Sequence, residues 1–475
     1  MTDQGPPDAY TLAQAFVTAR YIERSSPLGV RYGLRWCRDE WFHYGAGHYR
    51  RLPESELKAE IAGYLNESDV PVSISRVNSI LLCLHHLIGI DGRTEFETWL
   101  DGINGADVIV AANGNVSLSD TDRETGRPKL LPHTPSYFAM SALPYAYDPD
   151  AECPLWRTFL SDVVDDPEYV LLLQQWFGYL LRRDLKEQMF LLLVGPGGNG
   201  KSVFTAVMEA FVGLANVSHV SLARFDNPFA LYGMLGKRLN ITNETVHLIE
   251  EQAEATLKSL VAGDLMTFER KYRDPVEALP TSKIVITTNA APRFSDRTWG
   301  LWRRLLLVNF QRVIPRERQI RNLADELKQE LPGILNWAID GLHSLNAKGF
   351  IIPAAHEQLL EQYRQDSDPA RAFLIEHYQP GQEDECIPTS DVYGAYREWC
   401  EANGYKALGE RTFGQAVHRT HPGVQRRRRG GRDNRQWVYA GLCPMGVLSV
   451  SQGDWYTDHP SEPENAENQE VSYVS

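Results

Sequence analysis

The residues with the clearest chemistry form the segment Gly195-Pro-Gly-Gly-Asn-Gly-Lys-Ser202, which follows an apolar strand-like run, 190–194, and precedes a helix-compatible run, 203–211. This spacing of glycines, lysine and serine matches the P-loop, in which backbone N–H groups and the N-terminus of a helix surround phosphate groups. We expect Lys201 to reach the β and γ phosphates and the Ser202 hydroxyl to bind Mg²⁺. The segment therefore predicts a site for ATP or GTP. The predicted nucleotide-binding residues are Gly195, Pro196, Gly197, Gly198, Asn199, Gly200, Lys201 and Ser202.

Two polar residues further along the chain stand at the ends of strand-like runs. Glu244 ends one of them, where a P-loop enzyme needs a carboxylate to polarise the attacking water and support the metal; a surface glutamate is the alternative. Asn243 stands where many such enzymes carry aspartate, so Mg²⁺ would depend more on Ser202 and water. Asn289 follows the run 283–288, and its amide is suited to orient water or sense the γ-phosphate, because ligands bind at the carboxyl ends of strands in open α/β sheets.

Basic side chains form two further features. Arg303 and Arg304 precede an apolar strand, and a guanidinium there would reach the nucleotide of a neighbouring molecule or else form a surface salt bridge. The runs 264–272 and 276–279 flank a turn at 273–275 and predict a β-hairpin with a basic tip.

The elements around these residues predict three folded parts. Between residues 189 and 310, short β-type runs alternate with helical ones, which predicts an α/β domain with a mostly parallel sheet. Before it, a hairpin at 40–51 among helical patterns predicts a small α+β domain, which a loop-rich connection over 101–137 follows. After it, helices at 389–403 and 409–419 and two strands beyond them predict a winged helix.

Composition sets the outer limits. A chain of 475 residues with 43% hydrophobic and 23% charged residues is a folded protein of several domains, not a disordered or collagenous one. No apolar run approaches the roughly 20 residues of a membrane span, and the first residues lack a signal core, so we expect a cytoplasmic protein without a membrane partner.

The six cysteines are scattered, which argues against a disulfide scaffold or a zinc finger. The net charge of −14 conceals a basic island, 402–440, beside an acidic tail, 447–475, that contains no Lys or Arg.

Taken together, these residues resemble superfamily-three helicases, in particular the phage and plasmid primase-helicase family related to the poxvirus primase-helicase. The resemblance runs in order from about residue 38 to residue 310. The residues that carry it are Glu40-Trp-Phe-His-Tyr44, Leu143-Pro-Tyr-Ala-Tyr-Asp148 with Ala151 and Cys153-Pro154, Gln175-Trp-Phe-Gly-Tyr179, the P-loop, Gly236-Lys-Arg-Leu239 through Glu244, Lys258 with Gly263-Asp264, Arg270-Lys271, Thr287-Thr-Asn289 with Pro292, and Arg303-Arg304 with Phe310.

The resemblance implies an AAA+ ring, usually a hexamer, that hydrolyses ATP between its subunits with Mg²⁺ and moves along single-stranded DNA in the 3′ to 5′ direction. Glu244 would match the second motif of the family and serve as a metal ligand together with Ser202. Asn289 would be the sensor, and Arg304, with Arg303 as the other candidate, would be the arginine finger supplied to the neighbouring subunit. The residues that would match the third motif are Lys258, Asp264 and Lys271.

The resemblance also implies two DNA contacts. In this family the hairpin before the sensor strand holds DNA, so Lys271 and Arg273 would bind phosphates. The C-terminal part resembles the winged-helix module often appended to these helicases. Solvated basic surface is the alternative for both regions. The N-terminal stretch shows neither a zinc-ligand cluster nor paired carboxylates for nucleotidyl transfer, so we do not expect priming. The predicted DNA-binding residues of the winged helix are Arg411, Arg426, Arg427, Arg428 and Arg429.

The expected fold class is α/β, with a P-loop core of AAA+ type, a small α+β accessory domain before it and a winged helix after it. The expected function is an ATP-dependent DNA helicase for replication of a phage, plasmid or integrated element. Its expected partners are single-stranded and forked DNA, further copies of the chain, and a separate primase or initiator as a further candidate. The alternatives are a nucleotide-switched origin-binding or loading protein that unwinds nothing by itself, and a DNA-sensing ATPase of a defence system. The expected parts are a disordered start (1–9), the accessory domain (10–140), the ATPase core with its leading helices (141–350), a helical linker with the winged helix (351–442), and a disordered acidic tail (443–475).

Overall fold

The computed structural model divides the chain into two compact units, Met1–Ser367 and Asp368–Ser475. None of the helices that it describes combines the length and the apolar character needed to cross a membrane. Of the predicted disordered start (1–9) and tail (443–475), residues 1–6 and 446–475 lie outside the described residues. Both predicted bounds are wrong, because a helix begins at Ala9 and a strand extends to Pro444. The described residues are 7–23, 31–102, 107–122, 125–244, 249–289, 294, 299–315, 317, 319–405, 407–430 and 435–445.

The first part of the first unit is a small α+β fold. Its predicted hairpin is present as β4 and β5, which pair antiparallel with Gly45 opposite His48. Three helices enclose a core that contains Phe16, Leu57 and Leu84. The elements are α1 (Ala9–Tyr21), β1 (Ile22–Glu23), β2 (Arg31–Tyr32), β3 (Leu34–Cys37), β4 (Glu40–Gly45), β5 (His48–Leu52), α2 (Glu54–Glu67) and α3 (Ile74–Ile88).

The segment 101–137 contains strands, so its prediction as a loop-rich connection is wrong. Strands β7, β8 and β9 form an antiparallel sheet in sequence order. All four residues of β7 are buried, so the alternation of polar and apolar residues that normally reveals a strand is missing. The glycine, asparagine and aspartate residues mark the turns between these strands. The elements are β6 (Thr98–Trp99), β7 (Val108–Ala111), β8 (Gly114–Thr121), β9 (Pro128–Leu131) and β10 (Tyr137–Phe138).

A parallel sheet of five strands forms the centre of the first unit, in the order β12-β13-β16-β11-β17. This confirms the predicted α/β architecture with a parallel sheet. The elements are α4 (Pro154–Val163), α5 (Pro167–Leu181), β11 (Phe190–Val194), α6 (Lys201–Val212), β12 (Val217–Ser218), α7 (Pro228–Leu231), β13 (Leu239–Glu244), α8 (Glu251–Ala262), β14 (Met266–Arg270), β15 (Arg273–Ala278), β16 (Lys283–Thr288), α9 (Trp299–Trp302), β17 (Leu305–Asn309), α10 (Leu323–Lys328), α11 (Leu331–Lys348) and α12 (His356–Ser367).

Both faces of this sheet are buried. In β11, Leu191 and Leu193 join the core that contains α4, α5, α6 and α11, whereas Phe190 and Leu192 join the core that contains α8. The strands are apolar at every position because each face carries its own layer of helices. We expected helix α12 in the linker that precedes the winged helix. It packs through Leu360 and Tyr363 on the core that contains α8.

Two glycines bring α5 and α11 into backbone contact. A Cβ atom on Gly341 would lie 2.2 Å from the carbonyl oxygen of Gln174, and one on Gly178 would lie 2.4 Å from the backbone nitrogen of Leu342. Neither neighbour can withdraw, because both belong to helix backbone.

We expect Gly341→Ala to lower the free energy of unfolding by about 1–3 kcal/mol, since the added methyl group must push the helices apart. Urea denaturation followed by tryptophan fluorescence measures it, because Trp176 and Trp337 lie buried in the two helices. Gly63→Ala in α2 is the matched control: it meets nothing within 4 Å and should gain roughly 0.5–1 kcal/mol from helix propensity. Equal effects of the two substitutions would contradict the role of the close approach.

The second unit is a helical fold with a small sheet. Its core centres on Phe373, Tyr396 and Phe413, and the rings of Tyr396 and Phe413 stack with centroids 4.4 Å apart. Strands β19, β21 and β20 form an antiparallel sheet. The two predicted helices and the two strands after them are present. The elements are α13 (Pro369–His377), β18 (Tyr378–Pro380), β19 (Cys386–Pro388), α14 (Thr389–Ala402), α15 (Glu410–Thr420), β20 (Gln425–Arg429), β21 (Gln436–Ala440) and β22 (Leu442–Pro444).

Candidate functional site

Residues 195–200, here called the glycine loop, join the carboxyl end of β11 to the first residue of α6. Gly198 and Gly200 have φ angles of 77° and 88°, which favour glycine. A Cβ atom on Gly200 would lie 2.8 Å from Val163, and one on Gly195 would lie 2.2 Å from the carbonyl oxygen of Phe310, whereas one on Gly197 would meet nothing within 4 Å. The loop is therefore packed against the protein at both ends and open in its middle.

The ammonium group of Lys201 lies inside the curve of the glycine loop. Its Nζ donates to the carbonyl oxygens of Gly195 and Pro196, the latter at 3.1 Å, and to Oδ1 of Asn199 at 3.0 Å. Burial lowers the pKa of Lys201. The Asn199 amide donates to the carbonyl oxygen of Phe310 at 2.6 Å, which ties the loop to the end of β17. A cation enclosed by neutral loop atoms is available to an anion.

The donor set of the loop fits a polyphosphate. Helix α6 has 12 residues, and its N-terminus presents unpaired N–H groups and the positive end of the helix dipole. Ser202 is exposed at that end, with its hydroxyl free to meet a metal or a phosphate oxygen. Backbone N–H groups, one lysine and one hydroxyl at a helix N-terminus form the chemistry of phosphate binding.

The parallel register brings three predicted site positions to one edge of the sheet. Val194 pairs with Thr288, so Asn289, which follows it and is exposed, lies beside the start of the glycine loop, roughly 5 Å away across adjacent strands. Glu244 pairs with Thr288 from the other side, which places its backbone about 10 Å from the loop. The side chain of Glu244 lies outside the described residues. The described residues contain no group of three or more His, Cys, Asp or Glu side chains that would hold a metal by themselves.

Arg303 and Arg304 lie at the opposite edge of the same sheet. The carbonyl oxygen of Arg304 accepts from the backbone N–H of Phe190, the first residue of β11, at 2.8 Å. One strand length, roughly 16 Å, therefore separates these residues from the glycine loop of their own chain. Arg303 is exposed. Among the described residues, the Arg304 guanidinium makes long hydrogen bonds, to the Gly300 carbonyl and to Gln188, both 3.4 Å, and burial lowers its pKa.

The predicted basic hairpin is present as β14 and β15, but its predicted turn at 273–275 is wrong. The turn lies at Lys271 and Tyr272, both exposed, and residues 273–275 begin β15. The sequence did not indicate what holds the tip end of this hairpin, where Arg270 pairs with Arg273. Glu40 of β4 lies 3.6 Å from the Arg273 guanidinium and 3.8 Å from that of Arg270. The same carboxylate lies 3.1 Å from Arg51, so one carboxylate serves three guanidinium groups. No local sequence signal connects these residues, which come from distant parts of the chain.

The four arginines of β20 divide into two pairs. Arg426 and Arg428 lie 4.7 and 4.9 Å from the ring of Trp437 on one face of the sheet. Arg427 and Arg429 donate instead to the carbonyl oxygens of Glu383 and Asp384 in the preceding loop. The prediction treated all four arginines as equivalent. In the strand, successive side chains lie on opposite faces, so Arg426 and Arg428 share one face and Arg427 and Arg429 the other.

A groove of about 410 Å³ lies between helix α15 and this sheet. The predicted residues Arg411 and Arg426 line it together with Gln415, His418 and one acidic residue, Glu410. All four arginines of β20 are exposed, and Arg426 joins the groove to the face of the sheet that carries Arg428.

Three protein families match separate parts of the chain. Residues 64–165 match the family described as D5 N terminal like, and residues 193–304 match a family of unknown function, DUF5906. Residues 368–445 match the RFX DNA-binding domain, and this match starts where the second compact unit starts.

Curated relatives are similar over parts of their length. The putative helicase 022R of Frog virus 3 is 24% identical over 257 residues, 49% of this chain and 26% of the relative. The uncharacterized mitochondrial protein ymf21 of Marchantia polymorpha is 34% identical over 99 residues, 21% of this chain and 55% of that protein. The DNA-binding protein Rfx5 of Mus musculus is 35% identical over 81 residues, 17% of this chain and 12% of that protein. The chain therefore spans 55% of the length of the Marchantia relative and 26% and 12% of the other two.

The apo structure of the NrS-1 C-terminal region is similar in fold, with a TM-score of 0.53 over 92% of this chain and all of that chain. At 12% identity this similarity describes the fold alone.

Proposed function

We propose that the chain is an ATP-dependent DNA helicase that acts in replication of a phage, plasmid or integrated element. The D5-like match and the similarity to a putative viral helicase support a replication-related helicase. The observation that carries the proposal is the carboxyl edge of the parallel sheet, where the glycine loop, Lys201 and Asn289 lie side by side. In open sheets of this kind that edge is where ligands bind.

The nucleotide is ATP with Mg²⁺, held by the glycine loop as a P-loop in a core of AAA+ type. Lys201 would leave its loop carbonyls to bind the β and γ phosphates, and Ser202 with Glu244 would hold Mg²⁺. When bound, the metal neutralises charge that develops on the phosphates. Asn289 orients the attacking water. For Lys201, binding amounts to the exchange of three neutral acceptors for charged phosphate oxygens.

The active form is a ring, which we take to be a hexamer. Arg303 and Arg304 lie at the sheet edge far from their own glycine loop, so a neighbouring subunit must receive them if they stabilise the transition state. Each pocket then combines one subunit's loop with the next subunit's guanidinium. A head-to-tail contact of this type closes into a ring when the rotation permits.

The test is ATP turnover with and without single-stranded DNA, together with strand separation on forked duplexes. We expect turnover to rise with single-stranded DNA, and unwinding to require a 3′ tail for movement in the 3′ to 5′ direction. Absence of turnover under both conditions would refute the proposal, and dependence on a 5′ tail would refute the direction alone.

The match of the second unit to a DNA-binding domain favours a second candidate, an origin-binding or loading protein switched by nucleotide. This protein would bind a specific duplex through a winged helix formed by α14, α15 and the β20–β21 hairpin. Sequence-specific duplex binding with negligible turnover would favour this candidate over the helicase.

In either candidate, we expect Arg426→Ala and Arg428→Ala to weaken duplex binding more than Arg427→Ala and Arg429→Ala do. All four arginines are exposed, but the guanidinium groups of the second pair already donate to backbone carbonyls, whereas those of the first pair lie over the ring of Trp437. Each lost phosphate contact should lower the slope of log affinity against log salt by about 0.9. Fluorescence anisotropy at several salt concentrations measures both quantities. Equal losses for all four variants would contradict the division of the strand into two faces.

A further inference from the structure

A second basic groove lies in the first unit, between the β4–β5 hairpin and residues 213–216 and 232–237 of the core. Its volume is about 750 Å³. Arg50, Arg51 and Lys237 line it, and none of the described residues in its lining is Asp or Glu. We call it the N-terminal groove. A concave surface with three cations and no acid in its described lining attracts polyanions.

Two of these cations have only neutral partners among the contacts of the described residues. Lys237 donates from Nζ to the carbonyl oxygen of Ala215. Arg50 donates from Nε to Nε2 of His48 at 3.1 Å, and the other ring nitrogen of His48 lies 3.2 Å from the carbonyl oxygen of Ala46. Burial and the nearby Arg51 lower the pKa of Lys237, as expected where positive charge is not balanced.

The third cation connects the N-terminal groove to the hairpin β14–β15. Arg51 shares the Glu40 carboxylate with Arg273 and Arg270, so one negative charge stands against three positive ones. The Arg51 guanidinium also lies over the ring of Tyr232, 5.6 Å from its centroid. Basic side chains therefore continue from the hairpin into the groove.

The N-terminal groove also offers apolar surface to unpaired bases. Leu214 is 71% exposed there, and Phe96, Met140 and Tyr232 contribute further to the lining. Apolar and aromatic side chains beside cations fit a single strand, whose bases are accessible, better than a duplex, whose bases are stacked inside.

We infer that the N-terminal groove binds single-stranded DNA and extends the path of the strand beyond the hairpin. The inference rests on the proposed function, since it assumes that the hairpin holds DNA. It assigns DNA contacts to the accessory domain, where Arg50 and Arg51 lie, and to Lys237 and Leu214 of the core.

The first test compares Arg50→Ala with Arg20→Ala. Arg20 is an exposed arginine of α1 that pairs with Glu67 and lies outside the groove, so both variants lose one positive charge from the same domain. With a fluorescent oligothymidylate, Arg50→Ala should raise Kd about 3- to 10-fold and lower the salt slope by about 0.7 for one lost phosphate contact on a single strand. Arg20→Ala should change neither quantity. Equal behaviour of the two variants would overturn the inference.

The second test places a photo-crosslinking residue, p-benzoylphenylalanine, at Leu214 or at Leu82. Both leucines are well exposed, at 71% and 59%, but Leu82 lies on α3 and does not line the groove. We expect crosslinking of single-stranded DNA from position 214 at least several-fold above position 82. Equal yields, or crosslinking at position 214 to duplex in preference to single strand, would overturn the inference.

Measurements on the wild-type chain distinguish failure of this inference from failure of the proposed function. If the wild-type chain turns over ATP and binds single strands while the groove variants behave as controls, only the inference about the groove is wrong. If it does neither, the proposed function fails and the groove with it.

Discussion

Lys201→Ala should reduce ATP turnover at least about 100- to 1,000-fold, the range seen when one preorganised charge or donor is removed from a transition state. Lys201 is the cation enclosed by the glycine loop, and alanine leaves the phosphates without a positive side chain from that loop. Strand separation on a forked duplex should be lost with turnover. Phosphate release under saturating ATP and a fluorescent-strand unwinding assay measure the two effects.

A matched control separates loss of chemistry from loss of fold. Lys348→Ala removes one exposed lysine at the end of α11 and should leave turnover unchanged. Because Lys201 also holds the glycine loop together, thermal unfolding of both variants must be compared, and Lys201→Gln offers a side chain that still donates to the loop carbonyls without charge. Turnover within about twofold of wild type in either Lys201 variant would contradict the assigned role, since loss of a phosphate-binding charge predicts far more.

The glycine loop was predictable because its signal is local. Strand, loop and helix N-terminus follow one another within about 20 residues, and the structure has them as β11, residues 195–200 and α6. The position of Asn289 was predictable for a different reason: parallel strands end at the same edge of a sheet, so a residue after β16 must come near the residue after β11. The order of the elements along the chain and the parallel arrangement of the strands were therefore sufficient to predict the glycine loop and the position of Asn289.

The Glu40 cluster was not predictable. Glu40 and Arg273 meet only because the accessory domain packs on the hairpin, and each looks like an ordinary surface charge in its own segment. The same limit applies to Gly341, whose role depends on how closely α5 approaches α11. Pairings between distant segments depend on tertiary packing, which residue type and spacing do not encode.

The arginine run in β20 shows a third kind of limit. The sequence indicated a strand, and side chains alternate between the two faces of any strand. Which face contacts other residues depends on the loop that contributes the Glu383 and Asp384 carbonyls, and the sequence does not show this. The sequence therefore did not indicate that the four arginines form two pairs with different contacts. Of the four, Arg426 and Arg428 lie over the ring of Trp437, and we expect them to contribute more to DNA binding than the other two.

Substitution of the arginines at the far edge of the sheet tests whether pockets are shared between subunits. We expect Arg304→Ala, or Arg303→Ala if that residue is the finger, to leave nucleotide binding intact and to lower turnover about 10³-fold or more, as for arginine fingers in other P-loop enzymes. Binding of a fluorescent ATP analogue and phosphate release measure the two effects. Arg20→Ala, which removes an exposed arginine of α1, is the control and should keep full turnover.

Mixing two inactive variants decides between action within a subunit and action between subunits. A ring of Lys201→Ala and Arg304→Ala subunits contains interfaces where an intact glycine loop meets an intact arginine, about a quarter of all interfaces at equal amounts with random neighbours. Turnover should therefore recover to a measurable fraction of wild type. Lys201→Ala mixed with the double variant Lys201→Ala/Arg304→Ala contains no such interface and should stay inactive. If the first mixture also stays inactive although both variants assemble, the guanidinium does not act across an interface, and the distance between Arg304 and its own glycine loop then excludes it from the pocket altogether.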